Sequence, residues 1–182
     1  MVATALVGLA VAALVWFFNR PGGLSFRTVT LTAAATGPAP KVGSPAPDFT
    51  VKLLDGQTVE LADYQGEVVW INFWATWCPP CRAEMPDIQE VFETYRDQGL
   101  RVIALSIGEQ RSDVQGYVDR TGLGFDIGLD SDTAIAARYR VVGIPTHYFV
   151  DRDGTLREIR IGALNKKGME ERVRKLLEGV AP

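Results

Sequence analysis

The chain holds two cysteines in all, and they stand in one short run, Trp77-Cys78-Pro79-Pro80-Cys81. One such pair cannot staple a disulfide-rich scaffold or fill a four-ligand zinc site. An apolar run rich in β-branched and aromatic residues, Val68–Phe73, comes before it. After it Ile88, Val91, Phe92 and Tyr95 recur at helical spacing as far as about Asp97, where Gly99 supplies a stop. The pair therefore sits where a buried strand hands over to a helix, and a reversible dithiol used for chemistry is the economical reading.

The remaining pattern is that of an α/β domain. Phe49–Leu53 and Thr58–Leu61 flank Asp55-Gly56 and predict a hairpin, as do Thr146–Val150 and Thr155–Ile161 around Asp153-Gly154. Arg101–Ile107 reads as a second buried strand, and Val114–Arg120 and Thr133–Tyr139 read as helices. Asn165 is placed to cap a last helix that carries Met169, Val173, Leu176 and Leu177 on one face. The order is hairpin, βαβ, helical crossover, hairpin and helix, which implies a mixed sheet flanked by helices. Pro86 falls inside the first long helix and is expected to kink it.

The beginning of the chain differs from the rest. Val2 to Phe18 is an uncharged apolar run of 17 residues, which as a helix spans roughly 25 Å, the lower end of bilayer thickness. Trp16, Phe17 and Phe18 close it, and Arg20 follows. A cleaved signal peptide is the rival reading, but Ala33-Ala34-Ala35 lies well past the apolar run and no basic residue precedes it. The expectation is a membrane anchor over 1–19, a flexible Gly/Pro/Ala/Thr-rich linker over 20–40, and a redox domain over 41–182. Arg20 and Arg27 alone would favour a cytoplasmic face. A tethered thiol exchanger is most useful in an oxidising compartment, so the domain is expected outside the cytoplasm. Residues 41–182 contain 22 acidic and 17 basic residues, net −5, which argues against nucleic-acid binding.

At a helix start Cys78 gains from the helix dipole and is the expected nucleophile, with Cys81, almost one turn on, resolving the mixed disulfide. Pro79 and Pro80 carry no N–H, so the first backbone donor available to the Cys78 sulfur is that of Cys81. Fewer donors imply a less stabilised thiolate and a more reducing couple. Trp77 is expected to cover the site as an exposed aromatic, and Trp74 to be packing.

FWATWCPPC, followed by Gly143-Ile144-Pro145-Thr146, resembles the thioredoxin superfamily. The longer stretch VGSPAPDFTVKLLDGQTVELADYQGEVVWINFWATWCPPCRAEMP resembles the membrane-anchored ResA/TlpA-type thiol-disulfide oxidoreductases, over about residues 41–178. This resemblance implies a thioredoxin-like fold with an extra N-terminal hairpin and a helical insertion after the central strand. It implies a cis Pro145 facing the dithiol, with Ile144 free to pair with substrate beside Trp77, Pro79 and Pro80. It makes Glu84, three residues beyond Cys81 on the same helix face, a proton acceptor for that thiol. It places Glu109 along the substrate groove. Asn72 stands where thioredoxins usually carry an acid, and an amide takes up no proton at neutral pH.

The resemblance further implies reduction of client disulfides, such as the haem-attachment cysteines of apocytochrome c, with re-reduction by a membrane thiol donor. No organic cofactor and no metal is expected, since the dithiol carries the electrons. Three other readings stay open. His147, the single histidine, could join the dithiol in binding Cu(I), although its place on an apolar strand favours a core or edge histidine. The same motif could serve a folding oxidase. A peroxide-reducing relative would resemble Thr-x-x-Cys, whereas Thr76 is two residues before Cys78.

Overall fold

The computed structural model describes residues 37–180. The anchor expected over 1–19 and most of the linker lie outside the described residues. Among the described residues no helix is long and apolar enough to cross a membrane.

The chain runs through β1 (Thr50–Lys52), β2 (Thr58–Glu60), β3 (Val68–Trp74), α1 (Pro79–Tyr95), β4 (Leu100–Ile107), α2 (Arg111–Thr121), β5 (Asp126–Asp130), α3 (Ala134–Arg138), β6 (Thr146–Val150), β7 (Leu156–Ile161) and α4 (Lys166–Leu177). β1 and β2 pair as a separate antiparallel hairpin. The main sheet has the order β5-β4-β3-β6-β7. β3 is parallel to β4 and antiparallel to β6, which makes the sheet mixed.

All seven residues of β3 are buried, as a central strand covered on both faces requires, and this is why its sequence is a continuous apolar run. The pleat sorts its side chains to opposite faces. Trp70 and Trp74 join Met85, Ile88 and Val91 of α1, Val114 of α2 and Met169, Val173 and Leu176 of α4 in one core layer. Ile71 and Phe73 point the other way, into a layer with Phe49 and Val51 of the hairpin region, Ile135 of α3, Tyr139 and Tyr148.

Local signals set the helix ends. The Asn165 side chain accepts from the Gly168 N–H at 2.8 Å and caps α4 as expected. After α1 the chain turns at Gly99, whose φ of 96° is left-handed. α1 itself continues through Pro86, whose ring is exposed.

β5 was not legible in the sequence. Its five residues, DIGLD, begin and end in Asp and hold a glycine at the centre, so no strand-like apolar run marks them. Gly128 is there because the hairpin docks on this edge. Leu53 bridges Gly128, and the Leu54 N–H donates to the Ile127 carbonyl at 2.8 Å. A Cβ on Gly128 would fall 2.6 Å from Leu105 Cδ2 and 3.0 Å from Val51 Cγ2. The helical insertion after β4 thus contributes the sheet's edge strand as well as α2 and α3.

The second core layer has a consequence for pH. The Tyr148 hydroxyl donates to the Tyr139 carbonyl at 2.6 Å, and the Tyr139 hydroxyl donates to the Pro47 carbonyl at 2.5 Å. Burial pushes the Tyr148 hydroxyl up to about 12, and burial followed by the neighbouring Tyr148 raises Tyr139 as well. Free tyrosine ionises near pH 10, so above that pH the unfolded chain loses these protons first. A raised folded-state value means stability that is intact below about pH 10 and lost as pH rises. Tyr148 alone is expected to remove about 1 kcal/mol by pH 11, read as a falling urea midpoint between about pH 9 and 11. A midpoint that stays level would show these hydroxyls titrating alike in both states.

Candidate active site

Cys78 is the N-cap of α1, extended at φ −87° and ψ 108°, with Pro79 and Pro80 as the first helical residues. Pro79 and Pro80 are both exposed. The Cys81 N–H donates to Cys78 Sγ at 3.3 Å, so the first free donor of the helix does reach the sulfur. Cys78 and Cys81 are joined by a disulfide, with Cα atoms 5.3 Å apart. Cys78 is 3% exposed and Cys81 is fully buried, so the first sulfur stands closer to the surface.

The β6 entrance faces this helix end. Cys78 Sγ lies 3.8 Å from the Ile144 carbonyl oxygen, and the Ile144–Pro145 bond is cis. Pro145 is buried and Ile144 partly so. The Thr146 hydroxyl donates to the Gly143 carbonyl at 2.6 Å, and the Gly162 N–H donates to the Pro145 carbonyl at 2.8 Å, which ties the turn to β7. Trp77 is 48% exposed beside the dithiol and Val142 is 84% exposed in the turn before Ile144.

Glu109 lies under the loop that carries the dithiol. It is buried. One of its oxygens accepts from the Thr76 N–H at 2.9 Å and from the Ser106 hydroxyl at 2.6 Å, and the other from the Thr76 hydroxyl. The Ser131 hydroxyl donates to the Glu109 carbonyl oxygen at 2.9 Å. Both carboxylate oxygens are therefore engaged in joining the end of β4 to the residues just before Cys78. The Thr76 hydroxyl is turned to Glu109, in keeping with a register that differs from Thr-x-x-Cys.

Glu84 is buried on α1, and one of its oxygens accepts from the Leu164 N–H at 3.0 Å. The same oxygen lies 3.5 Å from His147 Nε2. His147 is fully buried, and its Nδ1 accepts from the Trp70 indole N–H at 3.2 Å. Asn72 is the cross-strand partner of His147, and neither of its side-chain polar atoms has a partner. The histidine is thus a core residue, as its strand suggested. What sequence reasoning missed is its pairing with Glu84, because the only local signal was a polar residue on an apolar strand. The two imidazole nitrogens thus face Trp70 and Glu84. Among the described residues no group of three or more His, Cys, Asp or Glu could hold a metal ion.

The chain is similar to proteins with thiol-disulfide chemistry. The profile of the AhpC/TSA family matches residues 42–159. The thiol-disulfide oxidoreductase ResA of Geobacillus kaustophilus is 37% identical over 141 residues, covering 78% of this chain and 79% of that one. The ResA of Bacillus anthracis is 37% identical over 136 residues, covering 75% and 79%. Among solved structures, a Chlorobium tepidum protein described as thiol:disulfide interchange protein DsbE superposes with a TM-score of 0.73 at 28% identity, covering 76% of this chain and 99% of that one. A secreted Mycobacterium tuberculosis disulfide oxidoreductase superposes with a TM-score of 0.64 at 28% identity, covering 70% and 96%. A dithiol at the start of α1, set against a cis-proline turn in a thioredoxin-like sheet, agrees with these likenesses, and the chain belongs to the AhpC/TSA family as a ResA-type protein-disulfide oxidoreductase.

Proposed function

We propose that this oxidoreductase works as a reductant of client proteins outside the cytoplasm, held to the membrane by residues 2–18. The observation that carries the reading is the position of Cys78 Sγ, 3.8 Å from the Ile144 carbonyl and next in sequence to the exposed Trp77. In the reduced protein the Cys78 thiolate attacks a client disulfide. A bond forms between Cys78 Sγ and one client sulfur, and the other client sulfur leaves as a thiolate that takes a proton from water. The Cys81 thiol gives its proton to Glu84, and its thiolate attacks Cys78 Sγ. The protein disulfide closes and the second client thiolate departs. One client disulfide is reduced to two thiols as the protein dithiol is oxidised, and a membrane thiol donor restores the dithiol.

Client residues would lie along Ile144 and Pro145, over Trp77, Pro79 and Pro80. The haem-attachment cysteines of apocytochrome c are a client of fitting chemistry. Glu109, with both oxygens engaged, would act by positioning the dithiol loop.

Reductant and oxidant differ in potential. Equilibration of the chain with glutathione and thioredoxin redox buffers is expected to give a value near or below about −220 mV, that of a reductant needing an electron supply. A value near about −120 mV would make it a folding oxidase and would overturn the argument from the two prolines.

A further inference from the structure

Among the described residues, four of the five buried side-chain polar atoms without a hydrogen-bond partner belong to one cluster: Asn72 Nδ2 and Oδ1, Glu84 Oε1 and His147 Nε2. Such groups are costly when left unpaired, and a cluster of them beside a reactive thiol invites a functional reading. Asn72 and His147 are neighbours across β3 and β6, and Glu84 is three residues along α1 from Cys81, which places the two on adjoining positions of one face.

The hydrogen bonds fix the proton on the imidazole. An indole N–H can only donate, so His147 Nδ1, which receives it at 3.2 Å, carries no hydrogen. The neutral ring must then bear its proton on Nε2. A second proton on Nδ1 would set N–H against N–H. The ring is therefore a donor at Nε2, which has no hydrogen-bond partner and lies 3.5 Å from Glu84 Oε2. The Leu164 N–H reaches that same oxygen at 3.0 Å. Oε2 thus takes one hydrogen bond, from the Leu164 N–H, with the unpartnered His147 Nε2 alongside it at 3.5 Å, and Oε1 has no hydrogen-bond partner.

We infer that His147 is a positioning residue: held by Trp70 with its proton on Nε2, it joins the Leu164 N–H in fixing Glu84 by Oε2, so that Oε1 is the atom that takes the proton from Cys81. The inference rests on Glu84 being the proton acceptor, as proposed above. The ionisable group that the structure places against Glu84 is His147 from β6; Cys81 stands three residues back on its own helix, and the chain after β7 contributes the Leu164 backbone amide. The Cys81 S–H bond breaks and an O–H bond forms on Glu84; the sulfur's electron pair then forms the bond to Cys78 Sγ as the mixed-disulfide bond breaks and the client sulfur leaves as a thiolate.

The resolving step can be read alone in the full chain. Cys78 is loaded with thionitrobenzoate from the aromatic disulfide reagent, and release of the coloured thiolate by Cys81 is followed against pH. The first attack, by Cys78, is measured beside it. Glu84→Gln is expected to slow release and alter its pH profile. His147→Phe is expected to slow it about tenfold, a fraction of what a general base contributes, and to leave the first attack unchanged. His147→Gln is expected to recover most of the rate, since its amide can accept from Trp70 and donate to Glu84. Trp70→Phe removes the bond that fixes the proton, so release should fall more steeply toward acid pH. If His147→Phe unfolds, this variant decides.

Release unaffected in Glu84→Gln would remove the acceptor itself, and with it this inference. Release slowed in Glu84→Gln but unchanged in both His147→Phe and Trp70→Phe would overturn the part given to His147 and leave Glu84 in place. Slowing by His147→Phe that persists in the Glu84→Gln background would also overturn it, because the imidazole would then act without the carboxylate.

Discussion

Cys78→Ser is expected to lower disulfide reduction by at least about a thousandfold, because the thiolate is the nucleophile and a serine hydroxyl stays protonated at neutral pH. The fold should be little affected. The side chain sits at the N-cap, where a serine oxygen can accept the Cys81 N–H as well as sulfur does. Cys81→Ser should behave differently. Cys78 still attacks, but nothing resolves the product, so the client stays attached and mass spectrometry reads one covalent adduct per protein. This assignment of roles comes from exposure and position. Cys78 borders the Ile144 carbonyl and the exposed Trp77, and Cys81 is fully buried beneath it. Adducts forming at Cys81 in the Cys78→Ser variant, at a rate like that of the converse, would reverse the roles.

Glu109→Ala is expected to destabilise the domain by about 3 kcal/mol, since each hydrogen bond to a charged group is worth about 1.5 to 3 kcal/mol and buried donors left behind add to the cost. Three donors lose their acceptor: the Thr76 N–H, the Thr76 hydroxyl and the buried Ser106 hydroxyl. Thr76 lies two residues before Cys78, so the same change should also lower kcat by loosening the nucleophile's seat. Urea unfolding and steady-state kinetics on one preparation check both effects. If Glu109 instead met the client, KM would rise while stability held, and that pair of results would return it to the groove.

Glu109 and His147 show where sequence reading runs out. From sequence, Glu109 is an acid after a strand. Its engagement by Thr76 and Ser106 depends on β3 and β4 lying side by side, with Trp74 opposite Ser106. His147 and Trp70 are 77 positions apart and meet only because the β3–β6 register sets Asn72 against His147 and Trp70 against Phe149. A slip of one residue would turn the histidine to the other face of the sheet, away from α1. β5 is a third case, a strand made by its neighbours and by the docked hairpin more than by its own DIGLD sequence.

The features written in the sequence itself are those that depend on neighbours within a few residues. The hairpin turns, the Asn165 cap, the buried run of β3 and the helix beginning at Pro79 are of this kind, because turn chemistry, capping and periodicity act over one or two turns of chain. The two cysteines belong with them, since their spacing and the prolines between them decide that the sulfurs can meet and that Cys81 supplies the first N–H. Tertiary structure decided which distant groups surround those sulfurs. The Ile144 carbonyl at Cys78, Glu109 beneath the loop, and the Trp70–His147–Glu84 row that reaches α1 three residues beyond Cys81 all follow from strand register and the packing of α1 on the sheet. Those depend on the whole core at once, through the burial of many side chains together, and no single stretch of sequence contains them.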